Sequence, residues 1–184
     1  MGPGVDSERI LDELLVASAR IGDAAARTLL VRRWDKRLLA HAVRLTDDRD
    51  GAREAVQDSW VEILRGLQRL RDDRAFPAWA YRITTRRCAR LVHQAQRDRR
   101  KDSALAAAVI DEPTAFDGFC AADGERLRAA IRALPPQQRA AIALFYFDEL
   151  SVAEVAVALD VPAGTAKTRL MHARNKLRAA LEGE

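Results

Sequence analysis

The sequence predicts an all-α protein, made of two small helical domains joined by a flexible linker, with a helix-turn-helix in the second. Three observations carry that expectation. Ala, Leu and Arg dominate while aromatic residues make up only 5%, a balance that favours helix over sheet. Apolar residues recur at three- and four-residue steps through most of the chain, with no alternating strand pattern. Between 102 and 123 the periodicity fades, acids appear without Lys or Arg, and Pro113, Gly118 and Gly124 (the last just past the segment) break regular structure. The expected division is therefore a domain over 1–101, an acidic linker over 102–123 and a second domain over 124–184.

Each element has a local reason. Ser7 is placed to cap a first helix over 7–19, and Gly22-Asp23 marks its end. A second helix over 23–45 carries Leu29, Leu30, Trp34, Leu38, Leu39 and Ala42 as its expected buried stripe. The polar run 46–51 reads as a turn. A third helix over 52–70 would bury Val56, Trp60, Ile63, Leu64 and Leu67, and 71–74 is a charged loop. Pro77 suits the first turn of a fourth helix, where its missing N–H loses no bond; the pattern continues to residue 96. Cys88 shares a face with Ala80, Thr84 and Leu91 and reads as core filler. Cys88 and Cys120, two distant cysteines, are expected to stay reduced.

The C-terminal end is the most informative. Ser151 and Glu154 have the spacing of a capping box, in which each side chain satisfies a free backbone N–H. Val152, Val155, Ala156 and Leu159 then form one apolar face. Asp160-Val161-Pro162 breaks that helix, because Pro disfavours helical geometry in the residue before it. The following helix has Ala166, Leu170, Ala173, Leu177 and Leu181 on its expected buried stripe. Lys167, Thr168, Arg169, His172, Arg174, Asn175, Lys176 and Arg178 occupy its other faces, and no acid interrupts 161–181. A helix-turn-helix with a basic second helix is an arrangement that inserts into a DNA major groove, and an acid-free face suits the dense negative charge of a duplex.

Composition sets further bounds. The 184 residues are 48% hydrophobic and 32% charged, with a net charge of +4 and a pI near 9.5. No apolar run is long enough for a membrane span. The start has neither a basic region followed by an apolar stretch nor the Ser or Thr of a myristoylation pattern, so the expectation is a cytoplasmic protein without membrane insertion. His41, His93 and His172 are scattered, with no zinc-site spacing and no carboxylates arranged for two-metal catalysis. No metal, no cofactor and no enzymatic activity are expected.

The wording of both halves adds to this. The segments LPPQQR, LSVAEVA and VPAGTAKTRLMHARNKLR closely resemble region 4 of bacterial sigma factors of the extracytoplasmic-function (ECF) group. GAREAVQDSWVEILRGLQRLRDDRAFPAWAYRITTRRCARLVHQAQRDRR resembles region 2 of the same group. Glu54, Val56, Gln57 and Asp58 match that family's acidic-Gln segment, and Phe76, Trp79 and Ile83 match its Phe-x-x-Trp-x-x-x-Ile core. The two matches occur in the family's order and cover nearly the whole chain.

The resemblance implies specific roles. Residues 71–75 and the helix after them would read a single-stranded −10 promoter element. Asp72, Asp73 and Arg74 would offer hydrogen bonds to a flipped base, or simply form a solvated turn. Arg82, Arg86, Arg90, His93 and Arg97 share one helix face, broadened by Arg87, Arg99, Arg100 and Lys101. Positive charge beside exposed rings suits single strands; Phe76 and Trp79 are the candidate rings, with a core role as their alternative. Glu54, Gln57, Asp58, Trp60 and Glu62 would contact core RNA polymerase through a coiled coil of its largest subunits. The acids Glu54, Asp58 and Glu62 also read as solubilising charges paired to Arg65 or Arg69. The family usually has an acidic pair where this chain has Arg53-Glu54.

In the second domain the family's base-reading positions fall on Lys167, Thr168, Met171 and His172, flanked by Arg169, with Gly164 and Thr165 near the phosphates at the helix N-terminus. Lys donates to guanine, Thr serves several bases and Met touches a thymine methyl; a partly buried helix position is the alternative for Met171. The family often has Arg at His172 and prefers Gly at Asp160; Asp tolerates left-handed backbone better than most residues.

The implied function is an alternative sigma factor that binds core RNA polymerase, the −35 element as duplex and the −10 element as single strand, with an anti-sigma factor as a candidate partner. The competing reading is a helix-turn-helix regulator that recruits polymerase without being a sigma factor. The acidic linker reads either as a tether or as a segment threading a positive polymerase channel.

Overall fold

The computed structural model describes residues 3–102 and 121–182, with side chains at 7–97 and 124–182. Residues 103–120 of the expected linker, Cys120 among them, and the side chains of Arg99, Arg100 and Lys101 lie outside the described residues, whereas its two ends are helical: Asp102 closes α4, and α5 starts at Ala121 and runs through Gly124. The order is α1 (Pro3–Arg20), α2 (Ala24–Thr46), α3 (Arg49–Gly66), α4 (Phe76–Asp102), α5 (Ala121–Arg132), α6 (Pro136–Ile142), α7 (Val152–Ala158) and α8 (Ala163–Glu182). Among the described residues there is no strand.

Short polar residues decide where α2 begins and ends and where α3 begins. Asp23 caps α2 by accepting from the N–H groups of Ala25 and Ala26. Asp47 closes α2 in left-handed geometry (φ 57°), with its N–H on the Val43 carbonyl. Asp48 then caps α3 through Asp50 and Gly51, which starts α3 three residues before the expected position 52. α3 stops at Gly66 and continues as a 3-10 turn over Leu67–Arg69. A Cβ on Gly66 would lie 2.9 Å from Trp79 Cζ2, so the ring packs directly on that backbone.

The first core is built around Trp34. It meets Phe76 edge-on at 5.2 Å and Tyr81 at 5.9 Å, inside a shell of Leu30, Leu38, Ile63 and Leu67. Aromatic pairs of this geometry add about 0.5–1.5 kcal/mol beyond the area they bury. Cys88 is fully buried in this core, and burial pushes its thiol up to about 12, which keeps it a neutral packing group. Three leucines depart from expectation: Leu29, Leu64 and Leu181 are exposed rather than buried. On α2 the buried positions are Ala26, Leu30, Trp34, Leu38, His41 and Ala42. That stripe is full without Leu29, and it admits a histidine.

The second core gathers Leu134, Ala141, Ile142, Leu144, Leu150, Val155, Ala166, Leu170 and Ala173. The capping box forms as expected: Ser151 N–H donates to Glu154 Oε2 at 2.8 Å, and Glu154 N–H to Ser151 Oγ at 3.3 Å. Asp160 takes left-handed geometry (φ 54°) at the turn, the tolerance its side chain was expected to lend. α6 does not end cleanly; it widens into a π turn over Ala143–Phe147. The two halves pack together through α4 against α7 and α2 against the π turn and α6.

Candidate nucleic-acid interface

α8 presents its expected base-reading positions to solvent. The Ala166 N–H reaches back to the Pro162 carbonyl, so the N–H groups of Ala163, Gly164 and Thr165 sit in the first turn without an intrahelical acceptor. A Cβ on Gly164 would meet nothing within 4 Å, so this end of the helix is open to an approaching anion. Lys167, Thr168, Met171 and His172 are all exposed. The Thr168 hydroxyl donates to the Gly164 carbonyl at 2.9 Å, which leaves its oxygen to accept. Arg169 differs: it is half-buried and lines the cleft toward α4.

The α4 stripe is arranged otherwise. Arg86 hydrogen-bonds Glu62, and Arg87 reaches Glu62 at 2.9 Å and Asp58 at 3.3 Å. Burial alone would raise the Glu62 carboxyl, but the bonds and charges of these two arginines outweigh it and hold it below its ordinary range. Arg82 reaches Asp160 at 2.8 Å. Arg90, His93 and Arg97 are exposed. Phe76 is a correction. It has no exposed surface and sits edge-on to Trp34, so it supports the loop from beneath and is not an exposed stacking ring. Trp79 is half-buried over Gly66.

The 71–75 loop is pinned at both acids. Asp72 Oδ1 accepts from Arg74 N–H at 3.0 Å and from Arg74 Nε at 3.2 Å, and the backbone bond above all lowers its pKa. Asp73 accepts from Arg20 of α1 at 2.6 Å. Arg74 itself is 75% exposed.

Two of the five positions expected to face polymerase are also corrected. Trp60 is buried, as its place on the apolar stripe of the third helix predicts and against its assignment as a polymerase contact, with its indole N–H on Asp35 at 2.9 Å, and Glu62 is turned onto α4. The exposed face of α3 carries Glu54, Gln57 and Asp58 together with the exposed apolar residues Val61 and Leu64. Residues 54, 57, 58, 61 and 64 follow three- and four-residue steps, the periodicity that could have found Val61 and Leu64 in the sequence.

Comparison with known proteins decides the family. The Sigma-70 region 2 family matches residues 30–98, and the Sigma-70, region 4 family matches 124–177. The chain is 32% identical to the ECF RNA polymerase sigma-E factor of Salmonella typhimurium over 181 residues, covering 93% of this chain and 94% of that one. The chain belongs to the ECF RNA polymerase sigma factors. It is 31% identical to the sigma-E factor of Escherichia coli K12, again over 93% of this chain and 94% of the relative. CnrH, solved in complex with the cytosolic domain of CnrY, has a TM-score of 0.70 and 25% identity, over 95% of this chain and 99% of that chain. The sigma factor RpoE of Bartonella quintana, solved with the anti-sigma factor NepR, shares the fold at a TM-score of 0.68 and 21% identity, over 84% of this chain and 96% of that one.

This sigma factor therefore has its region 2 match on α2–α4 and its region 4 match on α5–α8. The regulator alternative is the less supported reading, because it leaves the region 2 match without a role. Among the described residues no helix is long and apolar enough to cross a membrane, and no cluster of His, Cys, Asp and Glu could hold a metal ion.

Proposed function

We propose that this sigma factor divides its work as follows. The domain over 1–101 binds core RNA polymerase and the −10 strand, 102–123 links it to the second domain, and 124–184 reads the −35 duplex. The single observation that carries the reading is α8. Its exposed Lys167, Thr168, Met171 and His172 lie beside an open helix N-terminus, on a helix with no acid before Glu182 and inside the region 4 match. Phosphate would sit at the N–H groups of 163–165, where the helix dipole favours an anion, and the four side chains would meet base edges.

On the −10 side, Arg90, His93 and Arg97 supply charge along the strand, and Asp72, Asp73 and Arg74 supply hydrogen bonds to an extruded base. On the polymerase side, Gln57, Asp58, Val61 and Leu64 form a mixed apolar and acidic contact, with Glu54 at its edge. The chemistry of chain synthesis belongs to the polymerase, and the work would take place in the cytoplasm where the polymerase is. An anti-sigma partner belongs to the same reading, because one solved neighbour is held by a protein of that description.

The test is run-off transcription from genomic fragments by core RNA polymerase, with and without this protein. Discrete 5′ ends that appear only with the protein are expected, with two shared sequence elements upstream of them. Absence of new ends, despite duplex binding by the protein, overturns the reading in favour of a recruiting regulator.

A further inference from the structure

A cleft of about 360 Å³ lies between α4 and the helices of the second domain. Its floor is apolar: Leu45, Cys88 and Val92 of the first domain face Ala140, Ala158 and Leu159 of the second. Ala89 of α4 is exposed on its wall. The charged lining residues are nearly all basic. Arg82, Arg86, His93 and Arg169 stand against a single carboxylate, Asp160.

These basic residues are not equivalent. Arg82 holds Asp160 at 2.8 Å, and Arg86 is turned to Glu62 of α3. Arg169 and His93 have no hydrogen bond or ion pair among the described residues. Arg169 is also half-buried. Its guanidinium has lost part of its water without gaining an anion, a cost that an anionic partner would offset. Promoter reading as proposed above makes no use of this side chain, because the four base-reading positions are exposed while Arg169 lines the cleft.

Size and chemistry together define the occupant. Small-molecule sites run from about 300 to 1,000 Å³ and combine apolar walls with a few polar groups that fix orientation. This cleft is at the small end of that range, which suits a ligand of one ring system or a short chain rather than a protein segment. We propose that it binds a small amphipathic anion, with the apolar body on Cys88, Val92, Ala140 and Leu159 and the charged head on Arg169, with His93 as a further donor. A guanidinium presents five N–H donors in a planar fork and can hold a carboxylate or a phosphate through two of them at once. The shared requirement is therefore one anionic head, carboxylate or phosphate, on an apolar body. Such a ligand touches both domains, and because it binds the folded chain it stabilises that chain in proportion to its concentration over its dissociation constant.

The test uses the full-length protein and the fluorescence of anilinonaphthalenesulfonate, an aryl body with one sulfonate. Octyl phosphate and octanoate, each below its micelle-forming concentration, should displace the probe, and the tighter of the two identifies the preferred head. Octyl glucoside, which has the chain without the charge, and inorganic phosphate, which has the charge without the chain, should not displace it. Ala89→Trp fills the cleft from its exposed wall and should abolish displacement. Arg169→Gln keeps the cleft and removes the charge; it should weaken displacement by both anions at least about tenfold, the scale of a lost charged hydrogen bond. Leu14→Ser alters an exposed leucine of α1 that does not line the cleft, and should change nothing. The midpoint of thermal unfolding should rise with octyl phosphate in the wild type and in Leu14→Ser, and not in Ala89→Trp. If Ala89→Trp fails to fold, Arg169→Gln decides. Displacement by octyl glucoside as strong as by the anions, unchanged affinity in Arg169→Gln, loss of binding in Leu14→Ser or no displacement by either anion would overturn the proposal. No readout uses DNA or polymerase, so the ligand site stands or falls independently of the promoter assignment.

Discussion

The α8 reading face and the α4 stripe are both basic helix surfaces, and the structure treats them in opposite ways. On α8 the side chains at 167, 168, 171 and 172 point to solvent, with no acid between Val161 and Leu181 to hold them. On α4, Arg86 and Arg87 are held by Glu62 and Asp58 of α3, and Arg82 by Asp160. Equal runs of Arg and Lys in the sequence thus have unequal availability. In the proposed roles, a duplex would meet α8 with little to displace, whereas a strand on α4 would compete with the protein's own carboxylates.

Four results would break or sharpen that contrast. The largest effect is expected at Phe76, which supports the loop and α4 from within. Phe76→Ala should destabilise the first domain by about 3–5 kcal/mol, read as a lower midpoint in urea, whereas Met171→Ala, at a residue 48% exposed, should change stability by less than about 0.5 kcal/mol. Next is Lys167→Ala, which should weaken duplex binding by about 1–3 kcal/mol if it reads a base; titration at two salt concentrations separates that from simple charge loss. Smaller and opposite in sign is Glu62→Gln. Freeing Arg86 and Arg87 should tighten single-stranded DNA binding severalfold and steepen its salt dependence; an unchanged slope would show that these arginines do not reach the strand.

The smallest effect is on pH. The folded pKa of Glu62 lies below its ordinary value of 4.5. Its contribution to stability is therefore fully present above 4.5 and is lost as pH falls through the lower folded value. Acid titration of unfolding should show this loss in the native protein and not in Glu62→Gln.

The sequence made the helices, the capping box and the α8 face legible because each follows from local spacing. The partners of α4 were not legible. Arg86 and Glu62 are 24 residues apart, and nothing in either helix says which face meets the other. Phe76 was ambiguous for a related reason: an aromatic on an amphipathic helix packs or stacks depending on neighbours that only the fold supplies, whereas Trp60 lies on the buried stripe that the spacing of α3 predicts. His41 left a faint signal. It falls in register with Trp34, Leu38 and Ala42 on the buried stripe of α2, where a histidine needs a polar partner, but that partner, Asp148, comes from the other domain.

The most direct test of the two-surface account is sequencing of transcript 5′ ends made by core polymerase with the wild-type protein, His172→Arg and Asp73→Asn. The account predicts that His172→Arg changes base preference only in the upstream element, and that Asp73→Asn changes it only in the element nearer the start. Changes in the same element from both variants, or in the opposite elements, would contradict it.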